Sequence, residues 1–508
     1  MNRINIILPE QIGKINPNIY GHFVEHLGGV IYDGIWVGEQ SSIPNIKGFR
    51  KALIDLLKKI NAPVIRWPGG CFAEAYNWRD GIGPKSGRPK TVGWWFNNEG
   101  RLESNEVGTH EFIDFCRLVG AEPYFAANAT TTTPLEIRNW IEYCNFPENS
   151  TSLAKLRTEN GSPQPFKVKY WGIGNESWGY GGFMTPEDYC AAYRKYSITA
   201  VSADKNLYSI ACGPNGNDLQ WTRRFFDRLR DVTIPEFTKI NGYSAHYYCG
   251  TTGDALKFDE NQWYELLLKA GYMEEMIVQQ RALMDSYDPK REIGLIIDEW
   301  GCWHPEGSGP SKGAYFLEQQ STMRDALVAA ITLNIFNNHC DKVAMANVAQ
   351  LVNNLHSLFL AAGENLIVTP NYHVFDMFKG HQAGIALRSI VETDKITFTQ
   401  GIEEKQIGKI SCSSSLKDNK LTVTIVNSHY SEDSEVELRL FENGLFRINK
   451  QVVLKAPDPH MFNSFEEPEN VKPLNIAIDL TGRDFNITVP AASVMLLEID
   501  SMVDIPVL

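Results

Sequence analysis

Between Asn18 and about Gly380 the chain repeats one pattern eight times: a short, nearly continuous apolar run, then a longer stretch with helical periodicity. The runs are "NIYGHF", "APVIRWPGG", "AEPYFAAN", "KYWGIGNE", "LYSIACGP", "GYSAHYY", "IGLIIDEW" and "KVAMANVAQ". Strands buried on both faces of a parallel sheet read this way, because neither face carries a polar row. Between them, Phe49, Ala52, Leu53, Leu56, Leu57 and Ile60 mark one face of a helix, and Phe112, Phe115, Cys116 and Val119 mark another. "TPLEIRNWIEYC" and "TPEDYCAAYRKYSITAV" each open with Thr at the N-cap, Pro at N1 and Glu in the first turn. A further helix is expected from Leu317 to Asn337, ahead of the eighth strand. Eight strands joined by eight crossovers predict an α/β fold, a (β/α)8 TIM barrel. A doubly wound open sheet is the alternative, but no strand is followed by a G-x-G-x-x-G or G-x-x-x-x-G-K turn.

The pattern changes after about Leu387. "KLTVTIVNS", "SEVELRLF", "NIAIDL" and "ASVMLLEID" are short β-rich runs separated by Asn, Asp, Gly and Ser clusters, which predicts an all-β, jelly-roll-like sandwich. A length of 508 residues suits one large catalytic domain and a smaller companion. The expected division is a barrel over 15–385 and a sandwich over 386–508. The strand-like "INIILP" has no helix to pair it into the barrel, so residues 1–14 are assigned to the sandwich. The formal charge of −13 argues against nucleic acid or an anionic membrane as partner and favours a neutral small molecule or neutral polymer. No run approaches the ~20 apolar residues of a membrane span, and the N-terminus lacks an apolar region followed by a cleavage site. Nine cysteines, scattered singly with no C-x-x-C pair, read as reduced, buried thiols of a cytoplasmic protein.

In a parallel barrel the carboxyl ends of the strands build the active site. Reading those ends gives His22 and Glu25, Arg66 with Cys71, Asn128, Asn175 with Glu176, His246 with Tyr248, Glu299, and Asn347 with Gln350. Two acids stand out. Glu176 ends "VKYWGIGNES" and Glu299 ends "IGLIIDEWG", each beside a tryptophan and roughly three strand–helix units apart. Such spacing turns the two carboxylates toward each other across the barrel mouth. Glycosidic cleavage needs such a pair, one to protonate the leaving oxygen and one to attack the sugar or activate water. Asn175, next to the first acid, can hold a sugar hydroxyl. Tyr248 can donate to Glu299 and keep it ionised. His246 can donate to either acid or to substrate, or stand as a hydrogen-bonded core histidine. Trp94, Trp95, Trp178 and Trp303 crowd the strand-end loops, where sugar rings stack, though each is equally assignable to core packing.

"GHFVEH" also spells H-x-x-E-H through His22, Glu25 and His26, the order of an inverted zinc-peptidase motif. That motif needs a continuous helix, whereas Gly21, Gly28 and Gly29 flank this stretch. It is read as a sugar-binding strand end, with no metal.

"YGHFVEHLGGVIYDGIW", "RWPGGCFAEAYNWRDGIGP", "WGIGNESWG", "SAHYY", "DEWG" and "TPNYHVFDMFKGHQ" together resemble the α-L-arabinofuranosidases of glycoside hydrolase family 51, from about residue 18 to 385. "VPAASVMLLEI" is similar to the end of that family's β-sandwich. The resemblance implies that Glu176 is the general acid/base and Glu299 the nucleophile of a retaining double displacement. It further implies that Glu25, Asn175 and Cys71, a site where related enzymes carry Asn, hold the furanose hydroxyls. Tyr248 matches the tyrosine that contacts the nucleophile, Gln350 a subsite glutamine and Trp303 a pocket tryptophan. No metal or organic cofactor is implied. The expected partner is an arabinofuranosyl oligosaccharide, and the expected assembly a homo-oligomer, often a hexamer. One stretch departs from the family. Where a glycine-containing turn usually follows strand three, this chain reads "ANATTTTPLE", with a threonine run from Thr130 to Thr133 that opens toward the active-site face. The departure leaves the two acids untouched and bears on leaving-group preference.

The leading expectation is therefore a retaining, exo-acting arabinofuranosidase of arabino- or arabinoxylo-oligosaccharides. The alternatives are a related retaining glycosidase (β-xylosidase, galactofuranosidase or endo-β-1,4-glucanase), a zinc peptidase built on His22, Glu25 and His26, and a non-catalytic carbohydrate-binding barrel.

Overall fold

The computed structural model describes residues 2–231, 239–250, 252–442 and 444–502. Eight parallel strands close into a barrel in chain order: β1 (Gly21–Phe23), β2 (Val64–Trp67), β3 (Glu122–Ala127), β4 (Tyr170–Ile173), β5 (Tyr208–Ala211), β6 (Gly242–Gly250), β7 (Gly294–Trp303) and β8 (Val343–Ala349). Six of the eight apolar runs contain a whole strand, and "GYSAHYY" and "IGLIIDEW" hold the first part of β6 and β7, which run on to Gly250 and Trp303. β8 returns to pair with β1, Asn347 opposite Gly21, so the sheet has no free edge. Val64, Tyr124, Tyr170, Ile210, Ile296 and Met345 fill the barrel interior, which is a packed core rather than a channel.

A helix follows each strand: Lys51–Lys59, Thr109–Val119, Pro134–Asn145, Pro186–Ala203, Leu219–Arg230, Glu260–Asp285, Met323–Asn338 and Pro370–Phe378. Their apolar faces meet the outer surface of the barrel in one large cluster that includes Leu53, Leu57, Phe112, Phe115 and Trp140. The seventh helix is shorter than expected from the sequence, beginning at Met323 and not at Leu317. Thr322 and Asp325 form a capping box that sets the start, and Leu317 sits at φ +57°, outside helical space. Residues 317–321 are packed loop. Leu317, Glu318, Gln319 and Gln320 are all good helix formers, so residue propensity gives no stop signal before the cap.

The rest of the described chain is mostly one ten-stranded sheet. Residues Ile4, Ile6 and Leu8 of the N-terminal strand (Asn2–Lys14) join Leu421, Val423, Ile425, Leu438, Ile487, Met495 and Leu497 in a separate core. Strands far apart in the sheet order share this core, so the sheet folds over on itself as a sandwich does. The N-terminal strand lies inside it, antiparallel to Ile385–Glu392 and parallel to Ser434–Phe441.

The helix Met323–Asn338 packs between barrel and sheet and is buried over nearly its whole length. The serine-rich strand Ile410–Lys417 faces it. Ser413 donates to Asn334 Oδ1 at 2.7 Å, Thr424 donates to the same oxygen at 2.8 Å, and Asn337 Nδ2 donates to Ser413 at 3.1 Å. Buried hydroxyls are tolerated here because each finds a partner.

Candidate active site

The site lies at the carboxyl ends of the strands. β7 carries a bulge there. Ile297 pairs with Ala245 on β6, but the next paired residue, Glu299, is opposite His246, so Asp298 is the extra residue. A bulge re-aims side chains. As a result two consecutive carboxylates meet the same guanidinium. Arg66 Nη1 donates to Glu299 Oε1 at 2.7 Å, and Arg66 Nε stands 3.5 Å from Asp298 Oδ2. Asp298 is further held by Tyr124 OH (2.8 Å) and Asn347 Nδ2 (2.9 Å).

Glu299 also accepts from Tyr248 OH at 2.7 Å, and His246 Nδ1 lies 3.6 Å from the same oxygen. Burial alone would raise its pKa. The charges of His246 and Arg66, with the hydrogen bonds from Tyr248 and Arg66, outweigh burial and hold the carboxyl below the usual range. Glu176 sits just beyond the end of β4 at φ +43°, a left-handed conformation that is strained for a residue with a side chain. His246 Nδ1 contacts its Oε1 at 2.9 Å. One oxygen of each carboxylate and a ring nitrogen of His246 all lie within 4.8 Å of one another. Burial disfavours charge on His246, but the Glu299 and Glu176 carboxylates outweigh it and raise its pKa.

Around this pair the remaining candidates converge. Arg66 Nη2 donates to Asn175 Oδ1 at 2.6 Å, which turns the Asn175 amide nitrogen away as a buried donor with no protein partner. Glu25 accepts from Phe72 N (2.9 Å), Trp95 Nε1 (3.1 Å) and Gln350 Nε2 (3.2 Å), and burial raises its pKa to about 7 against those bonds. Gln350 Oε1 is left buried without a protein partner. Cys71 begins a short 3-10 turn, Cys71–Ala75. Burial, reinforced by the charges of Glu25, Glu176 and Glu299, pushes its thiol well above the ordinary range, so it stays a neutral thiol. A Cβ on Gly70 would stand 3.1 Å from Glu299 Oε1 and 3.4 Å from Asn175 Nδ2, so the glycine keeps the floor beside both groups open. Trp303 is 40% exposed and stands edge-on to Tyr248, with centroids 5.1 Å apart. Unpaired polar atoms pointed at a carboxylate pair are what a polyhydroxylated ligand satisfies.

His22, Glu25 and His26 do not converge. His22 packs against Phe375 with neither ring nitrogen hydrogen-bonded, and burial lowers its pKa to about 3. His26 bridges Glu103 (2.9 Å) and the Trp67 indole (3.0 Å). Asn128 is turned into its own loop, where its Oδ1 accepts from Thr130 N and Thr131 N.

Two residues were not singled out from the sequence. Arg66 was visible only as one of several strand-end polar residues, yet it bridges Glu299, Asp298 and Asn175. Its signal was a charge inside the buried run "VIRW", since arginine is almost never fully buried unless paired. Glu74, in the turn after Cys71, is buried and accepts from Asn175 N at 2.5 Å and Ala129 N at 2.9 Å, so it pins the backbone that presents the first acid. Burial raises its pKa to about 7. Nothing in "CFAEA" marks it from the sequence.

A closed parallel barrel with two facing glutamates at its carboxyl end defines a glycoside hydrolase architecture. Comparison with known proteins narrows the class. Residues 56–255 match the α-L-arabinofuranosidase 1 domain, and residues 298–493 match the α-L-arabinofuranosidase C-terminal domain. The chain is 38% identical over 497 residues to the intracellular exo-α-L-arabinofuranosidase of Bacteroides ovatus, covering 96% of this chain and 93% of that one. The crystal structure of the arabinofuranosidase of glycoside hydrolase family 51 from Xanthomonas axonopodis pv. citri superposes with a TM-score of 0.91 at 35% identity, covering 98% of this chain and 100% of that one. The α-L-arabinofuranosidase from Thermotoga maritima, solved as an arabinose complex, superposes with a TM-score of 0.86 at 31% identity and the same coverage. The chain belongs to the α-L-arabinofuranosidases of glycoside hydrolase family 51.

Proposed function

We propose that this protein is a retaining, exo-acting α-L-arabinofuranosidase in which Glu299 is the nucleophile and Glu176 the general acid/base. The observation that carries the reading is the carboxylate pair itself, with an oxygen of each within 4.8 Å of the other and of His246. Retaining enzymes hold their carboxyl groups about 5–5.5 Å apart, and inverting ones about 6.5–9.5 Å to admit a water. The two environments also differ as the roles require. Glu299 is buried and kept ionised by Arg66, Tyr248 and His246. Glu176 is half-buried at the rim, open to the leaving group.

In the first step Glu176 protonates the glycosidic oxygen while Glu299 attacks C1, breaking the C1–O bond and forming an arabinofuranosyl ester. In the second, Glu176 takes a proton from water as the water attacks C1 and releases Glu299. Two inversions leave the anomeric configuration unchanged. Glu25, Asn175, Cys71 and Gln350 line the sugar pocket, and Tyr248 and Trp303 close its wall. Among the described residues no helix is long and apolar enough to cross a membrane. The reading places the enzyme inside the cell, acting as a homo-oligomer on arabino- and arabinoxylo-oligosaccharides. The Bacteroides ovatus relative is itself named as intracellular and exo-acting.

Turnover of p-nitrophenyl α-L-arabinofuranoside in methanol tests the reading, with the anomer of the methyl glycoside read by NMR. Methyl α-L-arabinofuranoside is expected, and the β anomer would overturn retention. Glu299→Gln is expected to abolish turnover. Glu176→Ala is expected to slow natural oligosaccharides far more than the aryl glycoside, whose leaving group needs little protonation. Faster turnover of the β-D-xyloside or β-D-galactofuranoside would move the assignment to another sugar.

A further inference from the structure

The loop that follows the first acid carries aromatic side chains that the reaction above does not use. It folds tightly around the backbone of Glu176. Gly179 N and Gly181 N donate to the Glu176 carbonyl at 2.7 and 3.1 Å, Phe183 N donates to Gly179 O at 2.7 Å, and Met184 N donates to Ser177 O at 2.8 Å. Only glycine fits at 181, where a Cβ would stand 1.8 Å from the Asn175 carbonyl oxygen. The loop presents two large rings to water, with Tyr180 59% and Phe183 74% exposed. Phe183 does so at φ +49°, a conformation that a bulky residue adopts only under constraint. An isolated exposed aromatic needs no explanation, but these two touch each other (5.7 Å between centroids), and Tyr180 touches Trp94 (6.4 Å). Trp94 belongs to the loop after β2, and its neighbour Trp95 donates to Glu25 inside the pocket. The ring contacts therefore join the loop that carries Glu176 to the loop whose Trp95 reaches into the pocket.

The threonine run braces this loop. Thr130 Oγ1 donates to the Gly181 carbonyl at 3.0 Å, and Thr131 Oγ1 donates to the Glu74 carbonyl at 2.9 Å. The backbone of Thr130 and Thr131 is held in turn by Asn128 Oδ1. Threonines thus tie the loops after β2, β3 and β4 together, the last of them the loop that carries Tyr180 and Phe183.

We propose that Trp94, Tyr180 and Phe183 form the leaving-group platform, and that it takes a neutral pyranose backbone such as a β-1,4-linked xylo-oligosaccharide. The proposal rests on Glu176 being the acid: the group it protonates departs past the loop that carries it, and that loop carries Tyr180 and Phe183 and meets Trp94. Aromatic faces pack against the flat C–H faces of chair pyranoses, and a puckered furanose chain offers less of that surface. Nothing charged is needed, in keeping with a substrate that carries no charge.

The test uses the full-length enzyme and the double variant Tyr180→Ala/Phe183→Ala. Both side chains are exposed, so truncation leaves the core intact, and Phe183→Tyr serves as the conservative control. Three substrates are compared by kcat/KM: arabinofuranosyl-substituted xylotriose, arabinotriose, and methyl α-L-arabinofuranoside, which has no leaving-group ring. The double variant is expected to lose about 10-fold on the xylotriose derivative and to keep its activity on the methyl glycoside, while Phe183→Tyr is expected to match the wild type on both. Equal losses on all three substrates, no loss on any, or a larger loss on arabinotriose would each overturn the proposal. Calorimetric titration with unsubstituted xylotriose separates this from the catalytic assignment. Xylotriose is expected to bind the wild type and to bind the double variant about 10-fold more weakly. If the wild type turns over no arabinofuranoside at all, the activity reading falls, and the xylotriose titration still decides the platform.

Discussion

Tyr248 and Arg66 reach Glu299 at 2.7 Å each, on opposite oxygens. Both favour the ionised carboxylate, so both resist the upward push of burial. Removing the tyrosine hydroxyl deletes one of these supports and leaves the ring in place. In Tyr248→Phe the carboxyl of Glu299 is expected to titrate at higher pH. The acidic limb of the kcat/KM profile then moves up, because a protonated Glu299 cannot attack. Measured on an aryl arabinofuranoside, that limb is expected to shift by about one pH unit, the size of one hydrogen bond to a charged group. A profile lowered in height but unmoved in pH would mean that the hydroxyl only positions the sugar. At this scale the sequence was legible wherever a polar residue ended an apolar run. Glu25, Asn175, Glu176, His246, Tyr248 and Glu299 were all readable that way. Glu74 was not, because its importance lies in accepting the backbone N–H of Asn175, a contact that spans two strand-end loops.

The elements that deliver these residues depend on local devices with no periodic signature. The bulge at Asp298 in β7 gives "DEW" two inward carboxylates where a regular strand would turn one of them out. Behind it, Asp325 caps the helix Met323–Asn338, accepting from Thr322 N at 2.8 Å and contacting His304 Nε2 at 2.9 Å. Burial works against its charge, yet the charge and hydrogen bond of His304, with the charges of His356 and Arg324, hold it well below the usual carboxylate range. A carboxyl depressed in the folded state contributes stability that is present above its unfolded pKa near ~3.9 and lost as pH falls. Asp325→Asn is expected to destabilise the protein by about 3–5 kcal/mol at pH 7, as breaking a buried ion pair does. Urea unfolding at pH 7 and at pH 3 checks it. The gap between variant and wild type should narrow at the lower pH, and an equal gap at both would remove charge from the explanation.

At the scale of the molecule, the first strand of the chain stitches the last domain together. Asn2–Lys14 sits between Ile385–Glu392 and Ser434–Phe441, and Ile4, Ile6 and Leu8 are fully buried. Ile6→Ala is expected to cost about 2–5 kcal/mol, seen as a lowered thermal midpoint. Removing residues 2–14 would divide the sheet and bare the edges of both neighbours. The helix Met323–Asn338 is common to barrel and sheet, so arabinofuranosidase activity is expected to fall together with the β signal in circular dichroism. A soluble truncated protein with full activity would show that the barrel needs no companion.

The alternation of buried strands and amphipathic helices determined the barrel, because each element's period reports which faces it must bury, and that is a local property. The motif ends nominated the two acids for the same reason, since residues at the carboxyl end of a barrel strand line the mouth. Tertiary structure alone decided the rest. It brought Arg66 between Glu299 and Asn175, placed His246 between the two acids, and parted His22, Glu25 and His26 into separate surroundings. It also tied Thr130 to the loop that carries Tyr180 and Phe183. Each of these is a contact between loops or strands distant in sequence, and its energy depends on distances and burial that no single stretch of chain contains.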